Sequence, residues 1–115
     1  PTYEQRVQRG VTILDTWGPD NWWEVVDLPR FDIGNTCDCV LGQVFAPDEE
    51  DTEYDGEARD GFERGCDALH LSHLQTMDCG FDAYDDLSKS MDEVGEDYKA
   101  LQAEWERVIN ERKGN

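Results

Sequence analysis

The sequence predicts an all-α fold, one small domain spanning residues 1–115 with four to five helices and an acidic loop at about 46–61. Three observations lead there. Apolar residues recur at three-four spacing over 2–17 and again over 91–112, as they do on helices with one buried face. The stretch IGNTCDCVLGQVF, from Ile33 to Phe45, carries a single charge, Asp38, in a chain where 33% of residues are charged, so it belongs to the core. A hydrophobic content of 37%, with four Trp, four Tyr and four Phe, supplies that core. It offsets a net charge of −18 that in a less apolar chain would signal disorder.

Taken in order, the first helix covers 2–17. Tyr3, Val7, Gly10, Val11, Leu14 and Trp17 follow the three-four spacing, Thr2 with Gln5 has the form of a capping box, and Gly18-Pro19 ends it. A short second helix from Pro19 presents Trp22, Trp23, Val25 and Val26. Neighbours on a helix diverge, so one tryptophan enters the core while the other covers an adjacent element or stays available to a partner. After the connector Leu28-Pro29-Arg30-Phe31, Asn35 or Thr36 caps a helix that sets Cys37, Val40, Leu41 and Val44 on one face. Gly42 within it costs about 1 kcal/mol against Ala, so another element must approach closely there. Phe62, Cys66, Leu69, His73 and Met77 suggest a helix broken or bent near Gly65 and closed by Gly80; Leu69, Leu71 and Leu74 leave a short extended piece open. A polar connector over 81–90, anchored by Tyr84 and Leu87, leads to the last helix, 91–112. Its stripe is Tyr98, Leu101, Trp105, Val108 and Ile109, with Arg107, Arg112 and Lys113 at the negative end of the helix dipole.

The charge is distributed unevenly. Residues 46–97 hold eighteen acids against Arg59, Arg64 and Lys89, a net of −15; residues 1–45 hold a net of −4 and residues 98–115 a net of +1. Such a field repels nucleic acid and membrane surfaces, and speeds encounter with basic partners in a salt-sensitive way. No apolar run reaches the roughly 20 residues that span a bilayer, and PTYEQRVQRG has no signal-peptide character, so a cytoplasmic location with reduced thiols is expected.

Trp22-Trp23, Phe31-Asp32-Ile33, Cys39-Val40-Leu41-Gly42-Gln43, Phe45, Gly80-Phe81-Asp82 and Trp105 together form a pattern that resembles small proteins of actinobacteria and their bacteriophages. The resemblance implies a phage or actinobacterial origin and brings no activity with it. The acidity of residues 46–60 exceeds anything that pattern requires.

Candidate sites follow from residue chemistry. Cys37, Cys39, Cys66, His70, His73 and Cys79 are the possible zinc ligands, but Cys37-x-Cys39 is too close for the usual knuckle and small buried hydrophobes fit these cysteines better. A Cys66–His70 nucleophile pair is disfavoured, because surrounding acids oppose the thiolate. Asp51 to Gly56 begins like a calcium-binding loop, yet its twelfth position is Phe62, where a bidentate Glu is needed. The sequence thus points to no cofactor and no catalytic residue. What remains is the acidic surface, in two clusters: Asp48, Glu49, Glu50, Asp51, Glu53, Asp55, Glu57 and Asp60; then Asp78, Asp82, Asp85, Asp86, Asp92, Glu93, Glu96 and Asp97. A helical scaffold studded with carboxylates can imitate the charge row of DNA, about one per 1.7 Å of axis. The expected function is to bind and block a basic, nucleic-acid-binding surface of a host protein, without direct nucleic-acid or membrane contact. The alternative is a zinc-stabilised or aromatic-surface adaptor presenting Trp22 and Trp23.

Overall fold

A computed structural model describes residues 2–35, 38–45, 61–82 and 90–114. Its helices are α1 (Tyr3–Trp17), a 3₁₀ turn (Trp22–Val25), α2 (Val40–Val44), α3 (Gly61–Ala68), α4 (His73–Asp78) and α5 (Met91–Lys113), with no strand among the described residues. The all-α fold expected from the sequence is therefore present.

The frame is α1 packed alongside α5. Thr2 caps α1 through the predicted box with Gln5, and Val7, Val11 and Leu14 are buried along its inner face. Three links run up the pair in the same sense, which makes the two helices parallel: Tyr3 to Asp97, Gly10 to Trp105, and Asp15 to Arg112. Gly10 makes the closest approach possible, since a Cβ there would lie 2.3 Å from the Cys79 carbonyl oxygen and 2.9 Å from Trp105 Cζ2. Trp105 is fully buried, stacks on Phe81 at 5.3 Å, meets Trp22 edge-on at 6.1 Å, and donates its indole N–H to the Gly80 carbonyl at 2.7 Å. A buried indole needs such a partner, and this one fixes the α4–α5 corner against the core.

Of the adjacent tryptophans, Trp22 is buried and Trp23 half-buried, and they meet edge-on at 5.8 Å. The cysteine helix is shorter than expected and starts later. Asn35 does not open it; instead its carbonyl accepts from the backbone N–H groups of Asp38 and Cys39. Asp32 turns the chain first, its side chain accepting from Gly34 N–H at 3.0 Å, the local bond by which Asp competes with helix. Cys39 then caps α2, its sulfur accepting from Gly42 N–H at 3.3 Å. Val40 and Leu41 are buried and Val44 half-buried; Cys37 lies outside the described residues. The close contact expected at Gly42 is with α3, where a Cβ on Gly61 would fall 2.3 Å from the Gly42 carbonyl oxygen.

Residues 61–80 also depart from the expected path. The helix runs straight through Gly65, which backs onto Leu41 and Phe45, and breaks instead between Leu69 and Ser72. His70 has φ 56°, Leu71 N–H reaches the Cys66 carbonyl and His70 N–H the Asp67 carbonyl. This is the six-to-one and five-to-two closure that ends helices, with histidine where glycine is usual. Ser72 then caps α4 in a box with Gln75, and Gly80 at φ 74° repeats the same closure, as expected. The α5 stripe is as read: Leu101, Trp105, Val108 and Ile109 are buried and Tyr98 partly so. Tyr84 and Leu87 fall outside the described residues, as does the loop over 46–60.

Candidate interaction surface

The first acidic cluster, Asp48 to Asp60, and Asp85 and Asp86 lie outside the described residues. The remaining predicted acids divide into two kinds. Ser90 caps α5, and Asp92, Glu93 and Glu96 are exposed on its first two turns, Glu96 standing 4.0 Å from Lys99. These three carboxylates span about 6 Å of helix axis, a mean axial spacing of about 3 Å between charges. Duplex DNA is denser, with about one charge per 1.7 Å of axis. The positive end of the helix dipole stabilises the same charges, so they suit the helix as well as any partner.

Asp82 and Asp97 are different. Asp97 is buried and accepts a hydrogen bond from the Tyr3 hydroxyl; Asp82 is half-buried and accepts one from the Tyr98 hydroxyl at 2.8 Å. Beside them Arg6 is 2% exposed, its guanidinium donating to the carbonyls of Met77 and Asp82. Both carboxylates thus join α1, the 80–82 corner and α5. Asp78, at the end of α4, is half-buried.

The cysteine and histidine candidates are dispersed. Cys39 is spent as a cap, His70 sits in the turn after α3, and His73 opens α4, so the two histidines share no helical face. Among the described residues no group of three or more His, Cys, Asp or Glu side chains could hold a metal ion. The Cys79 thiol is buried, and burial pushes its pKa up; the neighbouring Asp78 charge adds to this while Arg9 opposes it. That is the reverse of what activates a nucleophilic thiol.

One cluster was not legible in the sequence. Arg112, in the last turn of α5, donates to both oxygens of Asp15 at 3.0 and 2.9 Å and lies over the Trp23 ring at 5.1 Å. Trp22 donates its indole N–H to the same Asp15 carboxylate at 3.0 Å. The Arg112 hydrogen bonds hold the Asp15 carboxyl below the ordinary carboxylate value, assisted by Trp22, and in turn raise the Arg112 pKa. An open depression of about 460 Å³ adjoins the cluster, lined also by Pro19, Asp20 and Asn21. Asp15 and Arg112 are 97 residues apart, and no local spacing links them.

No family model, no curated protein and no solved structure matches this chain. Among the described residues no helix is long and apolar enough to cross a membrane.

Proposed function

We propose that this chain is a non-enzymatic acidic protein that occupies a basic, nucleic-acid-binding surface of another protein in the cytoplasm of its host, in the manner of a DNA mimic. The observation that carries this reading is the charge: a net of −15 over residues 46–97 in a chain with a helical core. Asp92, Glu93 and Glu96 add a geometric argument. They are exposed on a 23-residue helix whose other half is held by Trp105, so their spacing persists on binding. Asp48 to Asp60 supply most of the remaining density, and the resemblance to actinobacterial and phage proteins supports a host protein as target.

The test is capture from a host extract on the immobilised chain. A basic DNA- or RNA-binding protein should be retained, released as salt shortens the screening length, and displaced by duplex DNA. Salt-insensitive capture of a neutral or acidic protein would refute the reading. One observation favours the second reading, an aromatic-surface adaptor: Trp17 is 73% exposed at the end of α1. Capture that survives salt but is lost in Trp17→Ala would select it. Elemental analysis of the purified protein decides its zinc-stabilised form, since a structural zinc would be found near one equivalent.

A further inference from the structure

The Asp15 cluster has the parts by which proteins recognise an arginine from outside. A carboxylate takes the guanidinium through two parallel hydrogen bonds, at 3.0 and 2.9 Å, and an indole face lies against its plane. The receiving half is fixed independently of the arginine. Trp22 is 1% exposed and wedged against Trp105, and its indole N–H aims the Asp15 carboxylate from the core side. The arginine half is placed oppositely. Arg112 is the penultimate residue of α5, in a terminal turn closed by the Gly114 N–H on the Asn110 and Glu111 carbonyls, and helix ends are where fraying starts. The cation is not shut in either: its side chain is 34% exposed, and the adjoining depression brings a second carboxylate, Asp20, to the same opening.

We propose that the cleft formed by Asp15, Asp20 and Trp23 is an arginine-binding site that the chain fills with its own Arg112, and that an arginine side chain of a basic partner replaces it. Arg112 is then an internal competitor. It keeps the cleft satisfied when no partner is present and lowers the apparent affinity in proportion to its occupancy. A guanidinium fits where an ammonium does not, because only its planar fork matches the carboxylate and the ring at once. The identity of the partner as a basic protein rests on the function proposed above; the affinity of the cleft for a guanidinium does not.

The experiment titrates N-ethylguanidinium into Arg112→Ala at constant ionic strength, following the Trp22 indole N–H resonance and the melting temperature. The expected result is a saturable shift of that resonance with a rise in melting temperature. In wild type the response is weaker, ethylammonium gives little, and in the double variant Asp15→Asn, Arg112→Ala affinity falls by about tenfold or more. Lys113→Ala, with the same change of net charge outside the cleft, should titrate like wild type. A non-saturable response, or one equal with and without Asp15, overturns the proposal. If Arg112→Ala does not fold, Arg112→Gln takes its place. Should neither fold, Arg112 is a structural clamp that no incoming arginine can displace, and the proposal is again overturned. Saturable binding in the cleft with no basic protein captured from the host would leave the site standing and refute only the function.

Discussion

From Met91 to Asp97 the final helix carries four acids and no base, leaves Met91 91% exposed, and buries only Asp97. From Tyr98 to Lys113 the same helix buries Leu101, Trp105, Val108 and Ile109, and both its arginines are paired: Arg107 with Glu104 and Glu111, Arg112 with Asp15. The backbone is continuous, so the contrast lies in what each half touches. The later half holds α1, the 3₁₀ turn and the 80–82 corner together. The earlier half is joined to α1 by the Tyr3–Asp97 hydrogen bond, rests Val94 against the core, and projects the carboxylates of Asp92, Glu93 and Glu96. Fold and charge have been separated along one element, and each can be changed with little effect on the other.

The contrast is broken most severely through Trp105. Trp105→Ala removes the ring that Gly10, Trp22 and Phe81 pack against and leaves the Gly80 carbonyl unpaired. A loss of about 3–5 kcal/mol is expected, read as a shift in denaturant midpoint at constant slope. The pair at the far end is worth less. Asp15→Asn should cost at most about 1 kcal/mol, since both side chains are partly exposed. The folded pKa of Asp15 is lowered, so its contribution is complete above the ordinary carboxylate value of 3.8 and is lost as pH falls through the lowered folded value. Acid titration of wild type and Asp15→Asn should therefore converge at low pH. In the acidic half, Gly95 lies inside the helix and, among the described residues, no atom of another element comes within 4 Å of where a Cβ would lie, so Gly95→Ala should stabilise by about 0.5–1 kcal/mol. The smallest expected effect is that of Asp92→Asn with Glu93→Gln and Glu96→Gln. Lost dipole stabilisation and relieved repulsion oppose one another there, leaving stability within about 0.5 kcal/mol of wild type at moderate salt.

What the sequence revealed and what it hid divide by range. The Thr2–Gln5 box, the stop after Trp17, the α5 stripe and the closing Gly80 are all encoded within a turn or two of the chain, and each was legible. The close contact at Gly42 was legible as a need, though not its answer in Gly61. Local competition misled at two places. The Asp32 turn displaced the start of α2 to a cysteine cap, and His70 took the left-handed closing position where glycine is usual. Long-range polar links left no trace. Asp82 and Asp97 read as members of an acidic cluster but are hydrogen-bonded to Tyr98 and Tyr3, and Arg6, by residue type a surface residue, is a buried donor. Asp92, Glu93 and Glu96 are the described members of the candidate surface that remain exposed acids.

The most direct measurement of the central claim uses the densest acidic stretch. Asp48→Asn, Glu49→Gln, Glu50→Gln and Asp51→Asn are combined in one variant, and its melting temperature and its capture of a basic nucleic-acid-binding protein are followed as salt rises. If the acidity serves binding, the variant melts at or above wild type, gains less stability from added salt, and captures the partner weakly with a shallower salt dependence. A variant that unfolds would show these carboxylates to be structural caps or ligands, and one that folds and captures the partner as well as wild type would show that the charge serves solubility alone; either result contradicts the account.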